Sequence, residues 1–367
     1  MWTRMRLGFA YRRYRLRFRA PVRTAHGVWT EREGVWVRLC DEAGHAGYGE
    51  AAPIPWFGTE TIGQTEAVAR AIGPKLDAND EESLADAAVE APCLVNALRS
   101  AWHGLQEESR RTTGHASAAT QADDPTEFRS VAALLPAGRA ALGVITEKAE
   151  AGFRVFKWKV GVANVGDELV LLDDVCAALP DGAKLRLDAN GAWDRRQAER
   201  WLERCAERPI EFVEQPCLAA AAEAPAQRRK IEDTLRGLAE DYPTPIALDE
   251  SLVVDGDVAR WLAEGWRGVF VLKPALLAAP WTAVAKLAAA KASVVFSSAL
   301  ETIVGARAAL HLAFTWPGER KALGFGVWPL FAESRCDGPT AAPFLRWSDV
   351  KRLDPARAWA ALEEKAS

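Results

Sequence analysis

Six charged residues between positions 157 and 273 each follow a short apolar run, and their side chains could bind a metal ion and transfer protons. They are Lys157, Lys159, Asp188, Glu214, Asp249 and Lys273. From Lys159 the intervals are 29 residues to Asp188, 26 to Glu214, 35 to Asp249 and 24 to Lys273. A strand, a helix and two loops use about that many residues, and consecutive strand ends meet on one face of a parallel barrel. The pattern predicts a divalent-metal site flanked by lysines.

The three carboxylates favour a hard cation. Acidic residues are disfavoured in strands, and burying one alone is costly, so three at strand ends indicate a neutralising ion. Oxygen ligands favour Mg²⁺, with Mn²⁺ as an alternative. None of the five histidines shares a strand end with the carboxylates, which argues against zinc. A helix N-cap or a surface ion pair explains one such acid more simply, but not three at this spacing.

The lysines are candidates for proton transfer. Lys157 and Lys159 are two residues apart on one strand and therefore face the same way. Crowding by positive charge, together with desolvation, is expected to lower the pKa of an amine there, which makes it usable as a base. Lys273 belongs to a strand further round the barrel and is expected to approach from the opposite wall. Solvated lysines would explain the Lys-x-Lys pair taken alone.

Composition narrows the class of protein. The 367 residues carry a net charge of −4, which gives no reason to expect nucleic acid or an anionic membrane as a partner. The six cysteines are scattered without a C-x-x-C pair, which favours a reduced, cytoplasmic setting. No apolar stretch is long enough to span a membrane, and the N-terminus does not resemble a signal peptide. The oligomeric state is left open.

The arginine-rich N-terminus is better explained as a strand than as a polyanion-binding arm. Arginines at 13, 15, 17 and 19 alternate with Tyr14, Leu16 and Phe18, which is the period of a half-exposed strand. The segment Pro21–Gly27 is then predicted to be a loop between strands.

The chain divides into three parts. Residues 1–127 are predicted to form an α+β domain of a strand meander followed by helices, and 109–127 to be a linker or mobile loop. Residues 128–326 alternate strands and helices in a β/α barrel, and 327–367 pack back on the first domain. A lengthened helix is the simplest explanation of residues 219–236. Barrel strands are expected near 129–135, 153–159, 183–188, 209–214, 245–249, 268–273, 293–298 and 322–326.

Several motifs resemble the enolase superfamily, in its muconate-lactonizing subgroup. They are Lys157-x-Lys159, Asp188-Ala189-Asn190, Glu214-Gln215-Pro216, Asp249-Glu250-Ser251 and Lys273-Pro274. The resemblance covers almost the whole chain and implies an α/β fold, a modified (β/α)7β TIM barrel with an N-terminal α+β capping domain. Muconate cycloisomerases, dipeptide epimerases, N-succinylamino acid racemases and o-succinylbenzoate synthases share these motifs.

Softer markers resemble the o-succinylbenzoate synthases most. They are Thr24-Ala25-His26-Gly27, Arg186 two residues before Asp188, and Ser297-Ser298-Ala299-Leu300-Glu301. Trp158 and Gly324-Phe325-Gly326, which lacks an acidic pair, fit dipeptide epimerases poorly. The resemblance implies a lyase of menaquinone or phylloquinone biosynthesis, which converts 2-succinyl-6-hydroxy-2,4-cyclohexadiene-1-carboxylate into o-succinylbenzoate by Mg²⁺-dependent syn dehydration.

The same resemblance implies a role for each site residue. Asp188, Glu214 and Asp249 would bind Mg²⁺, which stabilises an enediolate, and Asn190, Glu250 and Arg186 would support these ligands from behind. Lys159 would remove the α-proton, Lys273 would stabilise the anion from the other face, and Lys157 would orient Lys159. Ser297 and Ser298 would bind the succinyl carboxylate, and the 21–29 loop, with Thr24 and His26, would close over the substrate.

Other functions stay open on this sequence. An N-succinylamino acid racemase or a dipeptide epimerase needs the same metal but uses two lysines as opposed bases, and a muconate cycloisomerase shares the motifs too. Outside enzymes, the alternative is an inactive barrel that serves as a binding scaffold. The charged residues crowded at the strand ends argue against that alternative.

Overall fold

The computed structural model describes residues 6–24, 27–77, 81–112, 127–219 and 224–363. His26 and residues 113–126 of the predicted linker lie outside these ranges. The linker prediction is wrong for Ser109–Thr112, because these residues form the last turn of a helix.

An antiparallel sheet forms the N-terminal cap. Its strands, in the spatial order β3-β2-β1-β4, are β1 (Arg6–Thr24), β2 (Gly27–Cys40), β3 (Ala46–Ala51) and β4 (Lys75–Asp77). The predicted alternation on β1 is confirmed, since Tyr14, Leu16 and Phe18 are buried and the intervening arginines are exposed.

The predicted loop at Pro21–Gly27 is wrong for Pro21–Thr24 and for Gly27, which belong to β1 and β2, while residues 25–26 lie outside the described ranges. The pairing of β1 with β2 shifts register after Arg17, resumes with Val22 opposite Trp29, and continues to Thr24 opposite Gly27. Proline has no N–H group. It is tolerated at such an irregularity because its nitrogen does not have to donate a hydrogen bond to the neighbouring strand there. Pro21 therefore interrupts the pairing without ending the strand.

Three helices cover the cap sheet. They are α1 (Ile62–Ile72), α2 (Glu81–Glu90) and α3 (Pro92–Thr112). Helix α3 lies directly on β3, since a Cβ on Gly47 or Gly49 would come within 1.8 Å of the carbonyl oxygen of Ala101 or Ala97. Only glycine permits this approach of helix to sheet.

A curled parallel sheet forms the barrel. Next in the chain comes β5 (Phe128–Ser130), which stands outside it. The strands of the parallel sheet within the described residues are β6 (Ala133–Leu135), β7 (Val155–Lys159), β8 (Lys184–Asp188), β9 (Ile210–Glu214), β10 (Ile246–Leu248), β11 (Val269–Leu272) and β12 (Ser293–Phe296). They pair in chain order. The predicted barrel fold with an N-terminal α+β cap is confirmed.

Helices connect these strands, as the alternating pattern predicts. They are α4 (Ala140–Glu150), α5 (Val165–Ala178), α6 (Arg195–Cys205), α7 (Pro225–Asp241), α8 (Asp255–Ala263), α9 (Pro280–Ala289) and α10 (Ile303–Thr315). Helix α7 covers residues 225–236 of the 219–236 segment, for which a lengthened helix is expected, and residues 220–223 of that segment lie outside the described ranges.

The first and last predicted barrel strands need correction. The run at 129–135 is split, because β5 leaves the barrel and pairs antiparallel with β13 (Phe344–Arg346). The run at 322–326 is reduced to single bridges, Leu323 with Val131 and Gly324 with Ser297, which still close the barrel. A Cβ on Gly324 would lie 2.6 Å from Ser297 Oγ, so glycine allows this close approach at the expense of a regular strand.

The C-terminal segment contacts the cap. Helices α11 (Trp347–Lys351) and α12 (Pro355–Glu363) follow β13, and Arg12 Nη1 of β1 donates to the carbonyl oxygen of Trp359 at 2.6 Å. The domain boundaries at 127 and 326 stay predictions.

None of the described helices is both long and apolar enough to span a lipid bilayer. The six cysteines all lie within the described ranges, and no disulfide links any two of them.

Candidate active site

Strand β7 places two lysines at the carboxyl end of the barrel. Its side chains alternate, with Phe156 and Trp158 fully buried and Lys157 and Lys159 partly exposed on the other face. Trp158 packs against Trp201 of α6, with ring centroids 6.4 Å apart. The aromatic residues fix the strand against the outer helices, and the lysines point into the barrel as the sequence predicts.

The carboxylates lie next to these lysines. In the sheet Lys159 pairs with Asp188, and Asp188 pairs with Glu214, so three successive strand ends are in register. Lys157 Nζ lies 2.8 Å from Asp188 Oδ2 and 2.7 Å from Glu214 Oε1. Asp249 directly follows β10 and forms an ion pair with Lys273, which directly follows β11. The structure thus brings the six charged residues to one end of the barrel.

Behind the ligand candidates lies a second polar pair. Asn190 Nδ2 donates to Glu250 Oε1 at 3.0 Å, while Asn190 Oδ1 and Glu250 Oε2 are buried without a hydrogen-bond partner. Burial, followed by the charges of Asp249 and Asp188, raises the pKa of Glu250 to about 7. The site therefore contains acceptor oxygens that the described protein atoms leave unsatisfied.

The donor set fits a divalent cation. Within the described ranges no three acidic side chains form a ready-made ligand cluster, because the lysine ammonium groups stand between them. However, four carboxylates face three lysines here, and burial followed by repulsion from Asp188 raises the pKa of Glu214 well above its usual range. A cation bound by hard carboxylate oxygens would relieve this repulsion, and such donors suit Mg²⁺.

The pKa of Lys157 is shifted in the direction opposite to the one expected from the sequence. Desolvation would lower the pKa of Lys157, but the carboxylates of Asp188, Glu214 and Asp249 outweigh it and raise that pKa. The neighbours that decide the shift are acids, not the second lysine. The prediction of a lowered amine pKa is therefore wrong for Lys157.

Gln215 holds two strand ends together, a role that sequence reasoning missed. It is fully buried and has a left-handed φ of 38°. Its Oε1 accepts hydrogen bonds from the backbone N–H groups of Asp249 and Ser251, at 3.0 and 3.1 Å. Its place in Glu214-Gln215-Pro216 was the signal available. A buried amide after a strand-end acid is a candidate for bridging the next turn.

Arg186 does not contact the carboxylate ligand candidates among the described contacts. Its Nε donates to Glu211 Oε2 at 2.7 Å, and its Nη1 donates to the carbonyl oxygen of Ala322 at 2.9 Å. Because Arg186 lies two residues before Asp188, it shares the inward face one layer deeper in the barrel. It there helps to fasten the segment that closes the barrel.

The predicted substrate-binding serines differ in availability. The hydroxyl of Ser298 is buried and donates to Glu301 Oε2 at 2.9 Å. Ser297 is half-buried, and its hydroxyl makes a long contact of 3.4 Å with the carbonyl oxygen of Gly324. Thr24 is placed by its backbone pairing with Gly27, and His26 lies outside the described residues. The roles of these four residues stay predictions.

The cap contributes an aromatic side chain that the sequence did not reveal. Lys273 Nζ lies 4.6 Å from the centroid of the Phe57 ring, a cation–π geometry. Phe57 ends a short 3-10 helix, Pro55–Phe57, and is buried in the cap core. The aromatic pair after Pro55 was the available signal, although the prediction had assigned the covering role to the 21–29 loop.

Comparisons with known proteins agree with this architecture. Residues 143–342 match the family model described as enolase C-terminal domain-like, and residues 5–101 match the model of the MenC N-terminal domain. The o-succinylbenzoate synthase of Thermosynechococcus vestitus is 37% identical over 322 residues, which cover 86% of this chain and 91% of that protein. A hydrophobic dipeptide epimerase of Roseobacter litoralis is 30% identical over 67% of this chain and 69% of its own length.

A solved structure gives the same result. The crystal structure of o-succinylbenzoate synthase from Thermosynechococcus elongatus BP-1, with magnesium in its active site, superposes with a TM-score of 0.76 at 36% identity. The alignment covers 98% of this chain and 99% of that one. The similarity therefore extends over cap and barrel together.

Proposed function

Because the chain belongs to the enolase superfamily, with a MenC-type N-terminal domain, we propose that it is an o-succinylbenzoate synthase. The reaction is the dehydration of 2-succinyl-6-hydroxy-2,4-cyclohexadiene-1-carboxylate. One observation carries the proposal: two groups of ion pairs, Asp188–Lys157–Glu214 and Asp249–Lys273, lie at the ends of neighbouring strands, with Lys159 in register beside Asp188.

The carboxylates of Asp188, Glu214 and Asp249 would hold Mg²⁺ beside the ring carboxylate of the substrate. When bound, Mg²⁺ supplies positive charge that offsets the negative charge developing on that carboxylate as the α-proton leaves. Mn²⁺, which accepts the same oxygen donors, is expected to substitute. Asn190 and Glu250 would hold the ligand turns in place.

The lysines would move the proton. Unprotonated Lys159 Nζ takes the proton from the carbon that bears the carboxylate, and the electron pair of that C–H bond becomes part of the ring π-system. The neighbouring C–O bond then breaks, and the hydroxyl leaves as water with the proton that Lys159 returns. The reaction needs no oxidant or reductant, because H⁺ and OH⁻ leave together as water, and aromatisation of the ring supplies the driving force.

Lys273 and Lys157 would act without exchanging the proton. Lys273 stays cationic against Asp249 and the Phe57 ring and stabilises the anion by charge. Lys157, paired with Asp188 and Glu214, remains protonated and would orient Lys159 on the same face of the strand. Its raised pKa suits this fixed charge and leaves Lys159 as the base.

The partner in this proposal is a small-molecule carboxylate, in the cytoplasm, without nucleic acid or membrane. The half-buried hydroxyl of Ser297 is the better placed of the two serines for the succinyl carboxylate. The hydroxyl of Ser298 is already bound by Glu301.

Substitution of the proposed base tests the mechanism. Lys159→Ala is expected to lower kcat for dehydration by about 10²–10⁴-fold, the usual contribution of a general base. The measurement is the appearance of the aromatic product by ultraviolet absorbance. Lys184→Ala is the matched control, because Lys184 is an exposed lysine at the amino end of the next strand. Turnover by Lys159→Ala equal to that of Lys184→Ala would remove Lys159 from the mechanism.

Epimerisation is the second candidate, since a hydrophobic dipeptide epimerase is 30% identical to the chain. It requires Lys159 and Lys273 to act as opposed bases, and therefore exchanges the α-proton of a dipeptide or an N-acylated amino acid with solvent. Incubation of such substrates in deuterium oxide, followed by NMR, separates the two functions. Exchange without any dehydration of the cyclohexadiene would replace the proposed function.

A further inference from the structure

The loop that follows Lys273 belongs structurally to the cap. Residues Pro274–Leu276 form a single 3-10 turn, and the N–H group of Leu276 donates to the carbonyl oxygen of Lys273 at 3.1 Å. Ala275 and Leu276 are buried in the apolar core of the cap, and not in the main core of the barrel. The position of Lys273 at the end of β11 therefore depends on how the cap holds this turn.

One cap side chain binds both ends of the turn. Asn96, on α3, uses its two amide N–H groups to donate to the carbonyl oxygens of Pro274 and Leu277, at 2.7 and 2.6 Å. The opposite amide orientation would place oxygen against oxygen, so these two acceptors fix the side chain. Asn96 is 5% exposed, and its Oδ1 accepts a hydrogen bond from Ser100 Oγ at 3.3 Å.

The adjoining residues complete the hold on the loop. Arg99 Nη1, one turn further along α3, donates to the carbonyl oxygen of Ala278 at 3.1 Å, and Asp255 accepts from the N–H groups of Ala278 and Ala279. Pro274 and Leu277 are both buried, and the Pro274 carbonyl oxygen also accepts from the N–H group of Leu277 at 3.2 Å. Among the described contacts only Asn96 donates to the Leu277 carbonyl oxygen, so loss of the Asn96 donors would leave that group unsatisfied. The turn would then have to shift to regain partners.

We propose that Asn96 is a positioning residue for Lys273: by clamping the turn at Pro274 and Leu277, it sets where the Lys273 ammonium group stands between Asp249 and the Phe57 ring. The catalytic consequence rests on the proposed function, in which Lys273 stabilises the anion. The cap therefore influences the barrel site by fixing the backbone next to Lys273, in addition to covering the site.

Asn96→Asp tests the proposal, since it keeps the shape of the side chain and removes both donors. The position of Lys273 is read by NMR of protein made with lysine carrying ¹³C at Cε. The Lys273 signal is assigned by its loss in Lys273→Arg, and in the unsubstituted protein it is expected to be shifted upfield by the Phe57 ring. In Asn96→Asp this signal is expected to move toward that of an exposed lysine. Turnover is expected to fall about tenfold or more with KM changed by less than about threefold, because a displaced charge weakens transition-state binding.

Leu105→Ala is the control, because it weakens the cap core on the same helix at a residue outside the clamp. It is expected to lower the melting temperature while leaving both the Lys273 signal and kcat unchanged. If Asn96→Asp does not fold, Asn96→Ala, which introduces no charge, carries the same expectations.

Each result decides a separate claim. An unmoved Lys273 signal in the Asn96 variants overturns the positioning role, whatever happens to turnover. A moved signal with unchanged kcat overturns its catalytic importance. Absence of dehydration by the unsubstituted protein overturns the proposed function, and the NMR comparison still tests the clamp.

Discussion

Two buried carboxylates, one in the cap and one at the end of a barrel strand, have contrasting surroundings. Glu50, on β3 of the cap, accepts hydrogen bonds from the hydroxyl groups of Tyr14 and Thr302 and from the N–H groups of Thr302 and Gly305 at the start of α10. Glu214, at the end of β9, faces Asp188 and Asp249 and has Lys157 as its hydrogen-bonding partner. Both side chains are almost completely buried.

The difference separates a structural acid from a functional one. Hydrogen-bond donors, including N–H groups at the start of α10, surround the carboxylate of Glu50, which thereby joins cap and barrel. Burial and neighbouring acids destabilise the anion of Glu214, which raises its pKa and favours binding of a cation. Three substitutions test this contrast.

The largest effect is expected for Glu214→Gln. Losing an anionic oxygen donor should lower kcat/KM for dehydration by about 10²–10³-fold, as for other lost electrostatic stabilisers. The melting temperature measured in EDTA should change little, because the substitution removes repulsion with Asp188 while Lys157 keeps its 2.8 Å contact to that residue. Full activity with a strongly lowered melting temperature would make Glu214 a structural acid.

Glu50→Gln should behave in the opposite way. Replacing the carboxylate by an amide removes the charged acceptor of several hydrogen bonds, and a loss of about 2–3 kcal/mol in unfolding free energy follows. Turnover per folded molecule should stay within about threefold, since Glu50 contacts none of the proposed ligands or lysines. Urea unfolding and the dehydration assay measure the two quantities. Lost turnover without lost stability would place Glu50 in the catalytic machinery.

The smallest effect concerns Glu301, which lies next to the Glu50 network. Burial raises its pKa from an ordinary value of 4.5 to about 7. The folded protein thus keeps a proton that the unfolded chain releases, so this contribution to stability is full below about pH 4.5 and is lost as the pH rises through 7.

Glu301→Gln isolates that contribution. The unfolding free energy of the unsubstituted protein minus that of Glu301→Gln should decrease by on the order of 2 kcal/mol between pH 5 and pH 8. Urea unfolding of both proteins at each pH measures it. A difference that is constant with pH would show that Glu301 is ionised throughout, like an acid surrounded by donors.

The strand ends that carry the acids, and the strand β1 of the cap, could be predicted from local patterns in the sequence. Apolar runs that end in Asp188, Glu214 and Asp249 identify strand ends, because parallel strands place their last residues on one face. Alternation at Tyr14, Leu16 and Phe18 likewise revealed β1. These signals are periodic and local, so one sequence suffices to read them.

The remaining features depend on contacts between distant segments. Asn96 meets Pro274 across 178 residues, and Glu50 meets Thr302 across 252, with no motif to announce either pair. The short strand β4, the pairing of β5 with β13 and the partners of Arg186 are likewise set by tertiary neighbours. The raised pKa of Lys157 required the distances to its acids, which spacing alone does not supply.

Chelation tests the central claim most directly, namely that the strand-end carboxylates work by binding a divalent cation. Protein dialysed against EDTA, with its metal content checked by elemental analysis, should lose dehydration activity by about 100-fold or more and regain it with Mg²⁺. Undiminished activity in the verified metal-free protein would contradict the account.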